Sequence, residues 1–248
     1  MATRISKFTL LKRRSDLTHD EYNEHWHTTH AHVLASLPAF WKYSESYVQN
    51  HLLPMPASLA GDADVPFDGI AKTYQTPRDD MNRQDFFTDP SYLTIVREDE
   101  LKFLSIHSCT SIYGTEHIIK DGPTSGVKYL SFLRRSESLD QETFLSYWLT
   151  QHAPLVKSVE SFYKLVRRYV QHHGLLKLHR AMSEEGSSET FSGVVELYFD
   201  SIEDLETAFN LPDYLETIRQ DERKFLCGSS MRFIVEERPV LKPKGLSP

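Results

Sequence analysis

Two histidines occupy matching places in a pattern that the chain carries twice. Trp26-His27-Thr28-Thr29-His30-Ala31 returns as Trp148-Leu149-Thr150-Gln151-His152-Ala153, with the tryptophan, the first threonine, the histidine and the alanine all displaced by 122 residues (Trp26 to Trp148, His30 to His152). An imidazole titrates near neutral pH and can take and return a proton, which makes His30 and His152 candidate general acid–bases. The plainer reading is a histidine packed on a sheet and bonded to a backbone carbonyl, since buried polar groups must find partners. Occurrence in both copies does not choose between them.

A second constellation is also duplicated. Tyr47-Val48-Gln49-Asn50-His51 answers to Tyr169-Val170-Gln171-His172-His173. Strand side chains alternate with period two, so Tyr47, Gln49 and His51 share a face, as do Tyr169, Gln171 and His173. On a cavity wall, Tyr47 or Tyr169 would stabilise an oxyanion forming on a carbonyl substrate, and Gln49, Gln171, His51 and His173 would orient it. On an ordinary surface the same row is only polar. Trp26 and Trp148, with Phe40 and Phe162, read first as core aromatics, and the two tryptophans would touch substrate where a cavity opens beside them.

His25, His27, His30 and His32 invite a metal, but no pair among them has the one-face, four-apart spacing of zinc helices, and carboxylate partners are not evident; no metal site is expected. No phosphate-cradling glycine loop occurs, so no nucleotide cofactor is expected either. Haem on a cavity histidine is the remaining cofactor reading.

The repeat that positions these residues covers most of the chain. Leu11-Lys12-Arg13 matches Leu133-Arg134-Arg135, Pro90-Ser91-Tyr92-Leu93 matches Pro212-Asp213-Tyr214-Leu215, and Asp99-Glu100-Leu101-Lys102-Phe103-Leu104 matches Asp221-Glu222-Arg223-Lys224-Phe225-Leu226. Only Gly69 and Gly193 depart from the register, by two loop residues. A period this long marks a duplicated domain rather than a solenoid. The units are 1–119 and 127–241, joined by a Gly- and Pro-bearing linker.

Each unit reads β-α-β-β-α-β, the ferredoxin-like order of an α+β fold. In the first, strands are expected at 5–12, 46–52, 69–74 and 105–113. A helix capped by the Thr18-x-x-Glu21 box should run to Leu37 and end at Pro38, and further helical segments are expected at 79–87 and 90–104. In the second, strands are expected near 127–134, 164–172, 192–199 and 230–237, helices near 141–152, capped by Asp140, and near 201–226. Residues 183–189 read as a mobile loop. Pro154 should break the helix just after His152 and leave that ring near a helix C-terminus.

Composition narrows the function classes. The 248-residue chain has net charge −7, which argues against nucleic acid as a partner. Two cysteines, Cys109 and Cys227, do not correspond under the repeat and suit a reducing compartment. No long apolar segment suggests a membrane span or signal peptide, so a cytoplasmic protein is expected.

The strands ending in Leu-Lys-Arg and Leu-Arg-Arg, the Trp-x-x-x-His-Ala helix, the Pro-Leu after it in the second copy and the Tyr-Val-Gln strands resemble the EthD-like family of the dimeric α+β barrel superfamily, once per half. The resemblance implies that two ferredoxin-like units pack sheet against sheet around an apolar chamber. Separate chains usually pair in this way; here the fused copies would close an intramolecular barrel, as a monomer or, through unpaired edge strands, a homodimer. The superfamily includes polyketide cyclases, decarboxylases, lactone isomerases, cofactor-free monooxygenases and haem proteins, so the fold does not select a reaction. His32 stands in the first copy where the second has Pro154, a departure that bears on whether both halves work.

The expectation is a cofactor-independent enzyme acting on a hydrophobic, carbonyl-bearing small molecule, polyketide-like or aromatic, by cyclisation, dehydration, decarboxylation or isomerisation. The alternative is a haem- or small-ligand-binding barrel without acid–base catalysis, and a third reading is a structural module with no cavity ligand.

Overall fold

The structure, a computed structural model, describes residues 4–59, 66–76, 86–178, 180–181, 191–228 and 230–245. Most of the expected helix at 79–87 and all of the expected mobile loop at 183–189 lie outside them. The first half supplies β1 (Ile5–Leu11), β2 (Ser44–Leu53), β3 (Gly69–Gln75) and β4 (Thr110–Lys120). The second supplies β5 (Val127–Leu133), β6 (Arg168–Gly174), the two-residue β7 (Arg180–Ala181), β8 (Gly193–Phe199) and β9 (Met231–Val240).

Within each half the strands lie in ferredoxin-like order, β4-β1-β3-β2 and β6-β8-β5-β9, all antiparallel. Their outer strands then pair across the halves, β2 with β9 and β4 with β6, in registers such as Asn50 opposite Glu237 and Glu116 opposite His172. The result is a closed eight-stranded barrel built from one chain, with β7 paired to one end of β4. Closure satisfies the edges of these eight strands, so none is left to recruit a second chain by strand pairing.

The chamber expected between the halves is filled. Alternate residues of the strands point inward, and Phe8, Leu10, Ile70, Leu130, Phe132, Val194, Phe233 and Val235 form one cluster. Phe132 meets Phe8 edge-on at 5.9 Å between centroids and Phe233 at 5.6 Å. Eight strands enclose just enough room for side chains to meet, and these do. Charges run through the same interior. Lys72 on β3 reaches Glu196 on β8 at 2.8 Å, and Lys128 contacts Glu196 and Glu237 at 2.7 Å each. Asn50 Oδ1 accepts from Lys128 at 3.1 Å. His172 Nε2 lies 3.2 Å from the Glu196 carboxylate but out of line for a hydrogen bond.

Helices cover the other face of each sheet. The Thr18–Glu21 capping box forms, and Asp140 accepts from the Thr143 amide at 2.7 Å. The first of the following helices ends at Leu37 as expected, and the second runs past its expected end. In the first half, His19–His25 leads into a π-turn, Trp26–His30, and on through Ala31–Ser36. In the second, Gln141–Tyr147 leads through a π-turn, Trp148–His152, to Ala153–Ser158. Pro154 is accommodated because the turn has already shifted the ladder: the Ala153 amide donates to the Trp148 carbonyl, five residues back. His152 therefore sits inside a helix and not at its C-terminus. Pro38 starts another short helix, Pro38–Tyr43, as proline suits a first helical position; Glu160–Tyr163 matches it, and β6 begins later than expected. The expected helix at 201–226 is divided into Ile202–Asn210, the π-turn Tyr214–Ile218 and Arg219–Phe225. Among the described residues no helix is long and apolar enough to cross a membrane.

Candidate active site between helices and sheet

Each half holds its own pocket, outside the barrel, between the helix layer and the sheet. The second-half cavity is about 190 Å³ and is lined by Trp148, His152, Phe162, Tyr169, Leu197 and Phe225 among others. The first-half counterpart is about 50 Å³, with His30, Tyr47, Phe40, Phe86, Phe87 and Tyr92 on its wall. The two imidazoles are thus in separate pockets and do not face a common chamber.

The π-turns aim these rings. His152 is buried, and its Nδ1–H donates to Asp221 Oδ2 at 2.9 Å; His30 Nδ1–H donates to Asp99 Oδ2 at the same distance. An ionised carboxylate only accepts, so the ring proton is held on Nδ1 and Nε2 is the nitrogen left for a ligand. The other Asp221 oxygen accepts from the Tyr147 hydroxyl at 2.6 Å and from Lys224 at 3.0 Å. In the first half the position of Tyr147 is taken by His25, whose Nε2–H donates to Asp99 Oδ1 at 2.9 Å. Burial alone would raise the Asp221 carboxyl, but hydrogen bonds from Tyr147, His152 and Lys224 outweigh it and hold it below the usual range. Asp99 is likewise held low against burial by His30 and His25.

The Tyr-x-Gln-x-His rows do share one strand face, and they lie behind the helix turn. Gln49 Nε2–H donates to the Trp26 carbonyl at 2.6 Å and Gln171 to the Trp148 carbonyl at 3.2 Å. His51 Nε2 and His173 Nε2 meet the oxygens of those same glutamines at 3.2 and 3.0 Å. A π-turn loosens the carbonyl ladder at its start, and the glutamine occupies the carbonyl there. Gln49, Gln171, His51 and His173 consequently support the helix and are off the cavity walls, unlike the substrate-orienting role expected of them. Burial pushes the His51 and His173 imidazoles down to about 3, so both are neutral rings.

The tyrosines do line the pockets. In the first half Trp26 Nε1–H and Gln49 Nε2–H both donate to the Tyr47 hydroxyl, at 3.0 and 3.3 Å; in the second, Gln171 donates to Tyr169 at 2.7 Å. An oxygen that accepts from its supports keeps its own proton for a ligand. Burial raises both phenols above their ordinary range, so they serve as donors and not as bases. Trp148 lines the larger cavity, whereas Trp26 is not on the wall of the smaller one. Gly193 is required beneath it: an added Cβ would stand 2.6 Å from Trp148 Cζ3 and 2.9 Å from the His172 carbonyl oxygen. Gly69 stands in the same relation to Trp26 at 2.5 Å.

Asp99 and Asp221 received no role from sequence, although both lie in a repeated six-residue match. An acid recurring at one place in both copies was the available signal. Among the described residues no group of three or more His, Cys, Asp or Glu could hold a metal ion.

The model of the EthD domain matches residues 14–107 and again 136–229. The chain belongs to the EthD family. Its two EthD domains take up the larger part of the sequence, and each match carries one Trp-x-x-x-His turn with its aspartate. Solved structures share the fold of the tandem at low identity. An anthrone oxidase-like protein is 10% identical with a TM-score of 0.60, over 98% of this chain and 96% of that one. A candidate monooxygenase from Fusobacterium nucleatum is 9% identical with a TM-score of 0.53, over 97% and 95%. Another from Lactobacillus acidophilus is 12% identical with a TM-score of 0.50, over 97% of each chain. No match was found among curated protein sequences.

Proposed function

We propose that the second EthD domain is a cofactor-independent acid–base site for a small, largely apolar molecule bearing a carbonyl. The observation that carries this reading is the His152–Asp221 pair at the wall of a cavity of about 190 Å³. Nε2 of His152 takes the proton from a carbon next to the carbonyl while Tyr169 donates to the carbonyl oxygen as enolate charge builds. Asp221 holds the ring in the tautomer that leaves Nε2 basic and offsets the imidazolium that forms. Returning the proton elsewhere gives isomerisation, and attack on a second carbonyl gives cyclisation. Reaction of the enolate with dioxygen is a further branch, in keeping with the monooxygenase and oxidase-like descriptions of the structural neighbours.

Size narrows the ligand. An apolar cavity of about 150 Å³ accepts benzene, so this one suits a molecule built on a single ring or a short chain. The first-half pocket, about 50 Å³ and crowded by Phe86 and Phe87, has room for little more than water, and turnover is assigned to the second half. A haem does not fit the larger cavity, which lies below the ~300–1,000 Å³ of sites for larger ligands.

The test needs no prior substrate. Single-ring and short-chain 1,3-dicarbonyl compounds are incubated with the protein in D2O, and carbon-bound hydrogen exchange is followed by proton NMR. Exchange above buffer that is lost in His152→Ala and kept in His30→Ala is the expected result. Rates equal to buffer across the panel, or unchanged in folded His152→Ala, would remove the reading.

A further inference from the structure

The second-half cavity is cationic on one side, and only part of that charge is answered within the protein. Three arginines, Arg219, Arg223 and Arg232, stand on its wall against one glutamate, Glu222, a surplus of two positive charges in a chain whose net charge is −7. Arg219 spends its charge on Glu222 at 2.9 Å, and the exposed Arg223 is held by Gln220 Oε1 at 3.0 Å. Asp221, behind His152, is answered by Lys224. Arg232 is different. It is half-buried on β9, on the face that carries the cavity, and among the described residues no carboxylate or carbonyl pairs with its guanidinium.

The first half makes the contrast. Arg232 lies opposite Ser131 on β5, and the residue in that register of the first half is Ser111, opposite Thr9 on β1. Ser111 bonds Thr9 at 2.9 Å and carries no charge. The half with the open cavity thus has a planar, five-donor cation where the half with the closed one has a short, internally satisfied hydroxyl. Partial burial of a charge is costly unless it is paired, and a guanidinium matches a carboxylate with two parallel hydrogen bonds.

We propose that Arg232 is the anchor for a carboxylate on the ligand, so that this cavity takes a small ring-bearing or short-chain organic acid. The carboxylate sits on Arg232 at the β9 side, the apolar body lies among Trp148, Phe162 and Leu197, and the reacting carbonyl is presented to His152 and Tyr169. The last placement rests on the reading of the site as catalytic; the anion anchor does not, and the two can fail separately.

The test is a binding measurement with benzoate and its neutral isostere benzamide, followed by calorimetry and by tryptophan fluorescence, since Trp148 lines the cavity. Benzoate should bind about tenfold or more tighter than benzamide, as a charge-assisted pair predicts, and its affinity should fall with added salt. Arg232→Gln should abolish the preference while leaving benzamide binding in place, which also reports that the cavity is intact. Arg232→Lys should retain part of it. His152→Ala should keep the benzoate preference even as proton exchange is lost, so a catalytic failure leaves the anchor standing. Equal affinity for benzoate and benzamide, absence of benzoate binding, or a preference that survives in both Arg232 variants overturns the proposal.

Discussion

His152 Nδ1 and Asp221 Oδ2 lie 2.9 Å apart, and His30 with Asp99 repeats that distance in the other half. The dyad belongs to the repeated architecture, once in each half. What differs is the space in front of it: about 190 Å³ at His152 and about 50 Å³ at His30.

Replacing Asp221 by Asn tests the dyad as a positioning pair. An amide can donate to Nδ1 and move the ring proton to Nε2, which removes the base. The exchange rate should fall by about 10²-fold or more while benzamide affinity is unchanged. A rate within twofold of wild type would show that the carboxylate has no part in the chemistry.

The supporting histidines set an acid limb on stability. His51 and His173 are lowered to about 3 by burial, whereas the unfolded rings titrate near 6.5. Below pH 6.5 the unfolded state binds protons that the folded state refuses, so stability is complete above that value and declines as pH falls toward 3. The loss should reach on the order of 1–2 kcal/mol per histidine by pH 5. Urea midpoints at pH 7 and pH 5 should differ less in His51→Gln and His173→Gln than in wild type; equal pH dependence in all three would contradict this.

The depressed carboxyls act lower on the scale. Asp99 and Asp221 are held below the ordinary carboxylate value, so their contribution is present above about pH 3.9 and disappears as pH drops through the folded-state value. Asp99→Asn should flatten the thermal-midpoint curve below pH 4, and a wild-type slope there would show that the carboxylate contributes nothing to stability.

Inside the barrel, Glu196 answers both Lys72 and Lys128. Glu196→Gln strands the buried Lys72 ammonium, while Lys128 keeps Glu237, and should cost about 3–5 kcal/mol. Lys72→Met should cost less, because Lys128 still answers the carboxylate. Chemical denaturation ranks the two, and the opposite order would mean that the network is held otherwise.

Gly193→Ala pushes on Trp148 from below. The added methyl should destabilise by about 1–3 kcal/mol and tilt the indole into the cavity, weakening benzamide binding several-fold. Full affinity in this variant would show that the indole does not set the cavity's depth.

Sequence reading reached the strands, the capping residues and the shared face of Tyr47, Gln49 and His51 because each depends on neighbours a few positions away. It failed at Pro154, where a π-turn took up the missing donor that ordinarily ends a helix. It also missed the aspartate of each dyad, 69 residues along the chain from its histidine, since only folding brings the two helices together.

By itself the sequence determined a duplicated βαββαβ unit with one histidine turn per copy, because repetition and side-chain alternation are written along the chain. Tertiary structure alone decided that the barrel interior is solid, that the Gln and His rows brace the helix, and that the second half has the larger opening. Those outcomes turn on how much volume side chains occupy where distant strands and helices meet, and a few aromatic rings suffice to fill one pocket and leave the other open.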